Sequence, residues 1–134
     1  QNIPVTAAMV VTTPQDVALL DARKGIVMFN NVDVPVLGVV ENMSVHICSQ
    51  CGFHEAIFGT GGAEKLTKDY AIELLGQIPL HISLREDLDA GEPTVIRQPD
   101  SEFTQLYRQM ASAVAAKLYW QGEIIPPDIS FRAL

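Results

Sequence analysis

The chain has 134 residues, of which 48% are hydrophobic and 19% charged, so it is long enough for one hydrophobic core but not for two. Sixteen acidic residues against nine basic ones give a formal net charge of −7, which opposes a phosphate backbone and excludes nucleic acid as an expected partner. No apolar run reaches the roughly 18 residues of a membrane span. We therefore expect a globular protein that binds neither nucleic acid nor membrane.

The chain starts at Gln1 and not at Met, directly before an apolar run, and shows no signal peptide. We expect it to be part of a longer protein. Its two cysteines are too few for a disulfide scaffold, and a close pair without a secretory signal is typical of a reducing compartment. The expected location is therefore the cytoplasm.

The first forty residues predict a βαβ unit. A short apolar run from Ala7 to Thr12 predicts a buried strand. Thr13 as the cap and Pro14 at the first helical position predict a helix that ends near Asn30–Asn31. A second apolar run, from Pro35 to Val40, predicts the next strand. Strands joined by such a helix lie parallel and usually bind ligands at their carboxyl ends.

The remaining elements continue this α/β pattern. We expect a helix over 63–70, a third strand over 72–78 ended by Pro79, a short helix over 84–90 and a long amphipathic helix capped by Asp100. His81 is expected in a surface turn. The predicted fold is a partial open parallel sheet with flanking helices, followed by an apolar tail over 123–134 that we expect to dock on a neighbour.

The glycine-rich segment 59–62 resembles a phosphate loop only superficially. In the pattern G-x-x-x-x-G-K-[ST], the second glycine would be Glu64 and the hydroxyl residue would be Leu66. A glutamate at that position repels phosphate, so the segment is interpreted as a connector.

Both cysteines, Cys48 and Cys51, lie in segment 43–58, which we predict to be a loop at the carboxyl end of the second strand. Two thiolates supply only half of the four ligands that a zinc ion or an iron–sulfur cluster takes. The other ligands would be His46 and His54, or the cysteines of a second copy. A redox dithiol would need none, although Gly52 does not favour the helix that begins after a thioredoxin-like pair. The spacing leaves these alternatives open.

Five segments in order resemble a known family: 11–16 (VTTPQD), 38–44 (GVVENMS), Cys48-x-x-Cys51, 58–62 (FGTGG) and 76–80 (GQIPL). They are similar to the carboxyl-terminal half of the Mrp/ApbC iron–sulfur cluster carriers, which have a deviant-Walker P-loop ATPase fold related to that of the ATPases that place the bacterial division site. The resemblance covers roughly Pro4 to Trp120 and implies half of a P-loop NTPase fold over residues 1–134.

The resemblance also implies a function. Cys48 and Cys51 of two subunits would share a bridging [4Fe–4S] cluster in a homodimer that passes the cluster to apo iron–sulfur proteins. Asn42 would read the adenine edge of ATP, and Pro79 would flank the base. The family's phosphate loop and Mg²⁺-binding aspartates have no counterpart in these 134 residues. The intact protein would therefore be an ATPase, whereas this chain is not expected to hydrolyse ATP alone.

Two other functions remain open from the sequence. In one, zinc replaces the cluster and staples two subunits into a structural dimerisation module. In the other, the cysteine pair is a dithiol redox loop without metal. Iron content separates the carrier from both alternatives.

Overall fold

A computed structural model describes residues 5–120. Within this range the elements are β1 (Ala8–Thr12), α1 (Asp16–Asn31), β2 (Val36–Ile47), β3 (His54–Glu55), α2 (Gly62–Tyr70), β4 (Glu73–Leu80), α3 (Ile82–Asp89), α4 (Thr94–Arg97) and α5 (Glu102–Trp120). The predicted tail over 123–134 lies outside the described residues.

Strand β2 is the centre of the sheet. Its Val40 pairs in parallel with Val11 of β1 on one edge and with Gly76 of β4 on the other. Further along, His46 pairs with both β4 and the short antiparallel strand β3, so β3 lies on the β1 edge, beyond the end of β1. The three predicted parallel strands and the α/β class are confirmed, and β3 is an addition that the sequence did not predict.

Helices cover both faces of the sheet because the residues of β2 alternate between them. On one face, Val39 packs with Ile26 of α1 and Leu66 of α2, and all three are fully buried. On the other face, Val40 packs with Met110 of α5. Among the described residues, no helix combines the length and the apolar character needed to cross a bilayer.

The helix starts differ from the predicted caps. Helix α1 begins at Asp16, with Gln15 at its N-cap, because the Thr13 hydroxyl donates to Gln15 Oε1 (2.7 Å) and caps no amide. Helix α5 is capped by Ser101 instead of Asp100, since Ser101 Oγ accepts from the backbone N–H of Thr104 (3.2 Å). Both predictions named the wrong capping residue, a few residues from the observed one.

The end of β4 and the segment after it both differ from the prediction. The strand does not end before Pro79 but continues through it to Leu80, which an edge strand tolerates because the missing N–H faces away from the ladder. The unpredicted helix α4 is attached to α3 through buried Asp87, which accepts hydrogen bonds from Thr94 Oγ1 and Gln98 Nε2 (both 2.8 Å). This network holds α3 and α4 together.

Candidate functional site

The predicted loop at 43–58 contains a β-hairpin at the end of the central strand. Strand β2 runs on to Ile47, well past the predicted end at Val40, and β3 returns antiparallel to it. Between them, Cys48 N–H donates to Phe53 O (3.0 Å) and Gly52 N–H donates to Cys48 O (2.8 Å). Gly52 has φ +69°, a value that glycine adopts without strain. The cysteines therefore lie in one tight turn.

The turn favours the thiolate form of Cys48. The backbone N–H of Gln50, then the backbone N–H of Cys51 and the Cys51 side chain, form hydrogen bonds to the Cys48 sulfur and lower the pKa of its thiol below the ordinary value. Cys51 is exposed and Cys48 half-buried, and neither is in a disulfide. Since the thiolate is both the metal ligand and the nucleophile, this geometry suits a metal site or a reactive thiol.

The histidines near the cysteines do not complete a ligand set. His46 pairs with Glu55 and Ile47 pairs with His54, so the alternation of side chains places His46 and His54 on opposite faces of the hairpin. Within residues 5–120, no three His, Cys, Asp or Glu side chains gather closely enough to hold a metal ion. The described chain thus offers two thiolates and no third ligand beside them.

A second candidate site lies where Asn42 leaves the sheet. A cleft of ≈ 320 Å³ opens between β2, β4, α3 and α5, and it is lined by Asn42, Met43, Ile78, Pro79, Leu80, His81, Leu84, Arg85, Leu88, Asp89 and Tyr107. Asn42 and Pro79, which the family resemblance predicts to contact a nucleotide base, both line this cleft. Its walls are mostly apolar with a few polar groups, as in many pockets for small molecules.

The backbone at the cleft is strained. Asn42 Oδ1 accepts a hydrogen bond from the N–H of Met43 (3.0 Å), and Met43 has φ +56°, which is rare for a residue with a side chain. The β2–β4 register shifts between Asn42 and His46, and Ser44 Oγ donates to Ile78 O (3.3 Å) across this interval. Strain of this kind clusters at functional sites, where the surrounding structure maintains it.

Two cleft residues escaped the sequence analysis. His81, predicted in a surface turn, caps α3 by accepting from the N–H of Ser83 (3.2 Å), and its ring lies 5.1 Å from that of Phe103. Tyr107 of α5 also lines the cleft, and burial raises the pKa of its phenol. Only the capping pattern of His81 offered a signal, because a polar residue directly before a helix often caps it.

Glu41, the neighbour of Asn42, was also missed. Its buried carboxylate accepts from Ala63 N–H at the start of α2 (Oε2, 3.0 Å) and from Gln77 Nε2 on β4 (Oε1, 2.9 Å). A helix N-terminus attracts anions, and here a side chain of the protein already occupies it. This agrees with the interpretation of segment 59–62 as a connector. The signal in the sequence was a glutamate that directly follows a buried apolar run.

The fold is that of an α/β protein of the P-loop NTPase class. The cell division ATPase MinD of Pyrococcus furiosus superimposes with a TM-score of 0.65 at 23% identity, over 83% of this chain and 43% of MinD. A nucleotide-binding protein solved in complex with ADP from Archaeoglobus fulgidus gives a TM-score of 0.60 at 31% identity, over 74% of this chain and 40% of that one.

Within that class, the chain belongs to the ParA family described as "NUBPL iron-transfer P-loop NTPase", which matches residues 1–115. The iron–sulfur cluster carrier protein of Escherichia coli is 75% identical over 134 residues, which are 100% of this chain and 36% of that protein. The mouse iron–sulfur cluster transfer protein NUBPL is 49% identical over 118 residues, 88% of this chain and 37% of that protein. The resemblance to the Mrp/ApbC carriers is confirmed, and the chain spans about a third of the length of these relatives.

Proposed function

We propose that this chain is the cluster-holding part of an iron–sulfur cluster carrier. Cys48 and Cys51 bind a [4Fe–4S] cluster together with the same two cysteines of a second copy. The observation that carries this proposal is the turn itself, in which backbone N–H groups stabilise the Cys48 thiolate and none of residues 5–120 brings a third ligand close. Two chains with two thiolates each provide the four ligands that such a cluster takes. The names of the relatives support iron–sulfur transfer as the activity.

The exposed position of the turn suits transfer by ligand exchange. An acceptor thiolate forms an Fe–S bond as the bond to Cys51 or Cys48 breaks, and the released cysteine leaves as a thiolate that water or buffer can protonate. Repeating this step moves the cluster without a change in its oxidation state. The acceptors are apo iron–sulfur proteins with free cysteine ligands, which reach Cys51 first because it is the more exposed cysteine.

The cleft beside the turn is the proposed site for the base of ATP. In this arrangement Asn42 forms hydrogen bonds with the adenine edge and Pro79 lies against the ring. The family's phosphate loop and Mg²⁺-binding aspartates, which would hold the phosphates and the metal, have no counterpart in the 134 residues, so we assign ATP hydrolysis to a longer protein that contains the sequence. Binding at Asn42 would act on the turn through β2, which leads from Asn42 through the strained Met43 to Cys48.

Anaerobic reconstitution with iron and sulfide tests the proposal. The full chain should take up about two irons per copy, because two copies share the four irons of one cluster. The variant Cys48→Ala/Cys51→Ala should take up none. Ser49→Ala is the matched control, since it changes a side chain in the same turn but leaves both thiols and the backbone N–H groups. Absorbance of the thiolate-to-iron band and metal analysis give the result.

The metal found decides between the candidates. Iron that is retained by Ser49→Ala and lost in the double variant supports the carrier, and passage of the cluster to an apo-acceptor completes the test. Zinc bound in place of iron, with no cluster formed, would favour the structural staple. If the chain binds neither iron nor zinc and forms a reversible Cys48–Cys51 disulfide, the redox dithiol would be the remaining candidate.

A further inference from the structure

An exposed aromatic side chain lies directly beside the cysteines. Residues 46 and 47 of β2 pair with 55 and 54 of β3, and the bond from Cys48 N–H to Phe53 O (3.0 Å) continues this register by one pair. Residues opposite each other in an antiparallel ribbon project from the same face. The ring of Phe53 and the thiol of Cys48 therefore share one face of the hairpin.

This ring is poorly covered by the part of its own chain that the structure describes. The side chain of Phe53 is 64% exposed, and that of Ile57, just beyond β3, is 48% exposed. A scattered exposed apolar residue needs no explanation, but a phenylalanine beside an incomplete ligand set does. Aromatic side chains that are exposed in a free chain and buried in an assembly contribute strongly to interfaces.

We propose that Phe53 is an interface residue that packs against the hairpin of a second copy and forms an apolar wall beside the shared cluster. This inference rests on the proposed function, because the cluster is what brings two hairpins together. The occupant is a second copy since the described part of each chain offers only two of the four ligands at the turn. In a two-fold arrangement the same patch of both copies meets at the interface, so each copy places its own Phe53 beside the shared cluster.

The wall has a chemical consequence. Apolar side chains around an iron–sulfur centre limit the access of water and lower the local dielectric constant. Fe–S bonds to exposed cysteines exchange readily, and such a cover protects them. Loss of the ring should weaken the iron-loaded dimer and speed cluster loss to a chelator, while each chain keeps both of its ligands.

Sedimentation velocity on the iron-reconstituted full chain, under anaerobic conditions, tests this assignment. Phe53→Ser should raise the dimer dissociation constant about tenfold or more, a size typical of an interface aromatic residue. Phe53→Leu should recover most of the affinity. Ile96→Ser is the matched control: Ile96 is 73% exposed on α4, outside the hairpin, and its loss should leave the dimer unchanged.

The outcomes separate this inference from the proposed function. Iron bound by the parent chain, with equal dimer affinity in Phe53→Ser, would overturn the role of Phe53 and leave the carrier standing. An unchanged dimer with slower transfer to an apo-acceptor would also overturn it, since Phe53 would then contact the acceptor. No iron in the parent chain would remove the proposed function and this inference with it.

Discussion

The two candidate sites on strand β2 are built in opposite ways. The cysteine turn is made by consecutive residues of one hairpin, and the hydrogen bonds that shape it join residues at most five positions apart. The cleft at Asn42 is made by four elements, and its walls include Pro79, His81 and Tyr107 from distant parts of the chain. A site of the first kind depends on backbone conformation alone, whereas a site of the second kind exists only when the elements pack.

The contrast predicts that packing changes will abolish the cleft and spare the turn. Gly38→Ala should have the largest effect, because an added Cβ would lie 2.4 Å from Glu73 O and 2.7 Å from Leu75 Cγ. The backbone oxygen cannot move without separating β2 from β4, so we expect a loss of about 3 kcal/mol in the free energy of unfolding. Urea denaturation measures this loss.

Gly25→Ala is the control for that variant. Nothing lies within 4 Å of the Cβ it would add in α1, so the substitution should raise stability by about 0.5–1 kcal/mol, as expected for alanine in a helix interior. Equal effects of the two alanines would contradict the close approach of β2 and β4. Thiol alkylation of Cys48 in the folded fraction should be the same in both variants.

A change of backbone conformation within the cysteine turn should disturb the turn and spare the cleft. Gly52→Ala strains a residue with φ +69° and should cost about 1 kcal/mol, and Gly91→Ala, at φ +73°, should cost about the same. Only the first should disturb the N–H groups of Gln50 and Cys51 that face Cys48. The pKa of the Cys48 thiol should rise toward its ordinary value in Gly52→Ala and stay low in Gly91→Ala.

The pKa of Cys48 in the two variants is measured from the pH dependence of its alkylation by iodoacetamide in the metal-free chain. Both variants also carry Cys51→Ser, so that only Cys48 reacts. Because the pKa of Cys48 is lower in the folded state than in the unfolded state, its thiolate stabilises the fold at pH values above the unfolded pKa. That contribution is lost as pH falls through the folded pKa. A folded chain with the same alkylation midpoint as the urea-unfolded chain would contradict the hydrogen bonds to the sulfur.

The smallest effect on stability should come from a change at Met43, which lies on β2 between Asn42 and Cys48. Met43→Gly removes the strain at φ +56°, but the gain is offset by the entropy that glycine loses on folding, so stability should change by less than about 1 kcal/mol. Ala71→Gly, at φ +53°, is the matched control. If β2 links the sites, Met43→Gly alone should reduce the effect of ATP on cluster transfer in a full-length protein. The same ATP response in both variants would argue against the link.

The sequence alone determined the order of the main helices and strands and the position of the cysteine turn. Apolar periodicity is a local property, and Cys48 and Cys51 are held close by only two intervening residues. The resemblance to a family also predicts that Asn42 and Pro79 share a nucleotide site. Both residues line the cleft, although no local pattern brings them together.

The tertiary structure decided the rest. The extension of β2 to Ile47, the bond from buried Glu41 to α2, the positive φ of Met43 and the presence of His81 and Tyr107 in the cleft all depend on contacts between distant segments. Periodicity shows that a residue is buried or capping, but not which neighbour it meets. The physical reason is that packing selects among local conformations of similar energy, and only the assembled sheet supplies the neighbours that make the selection.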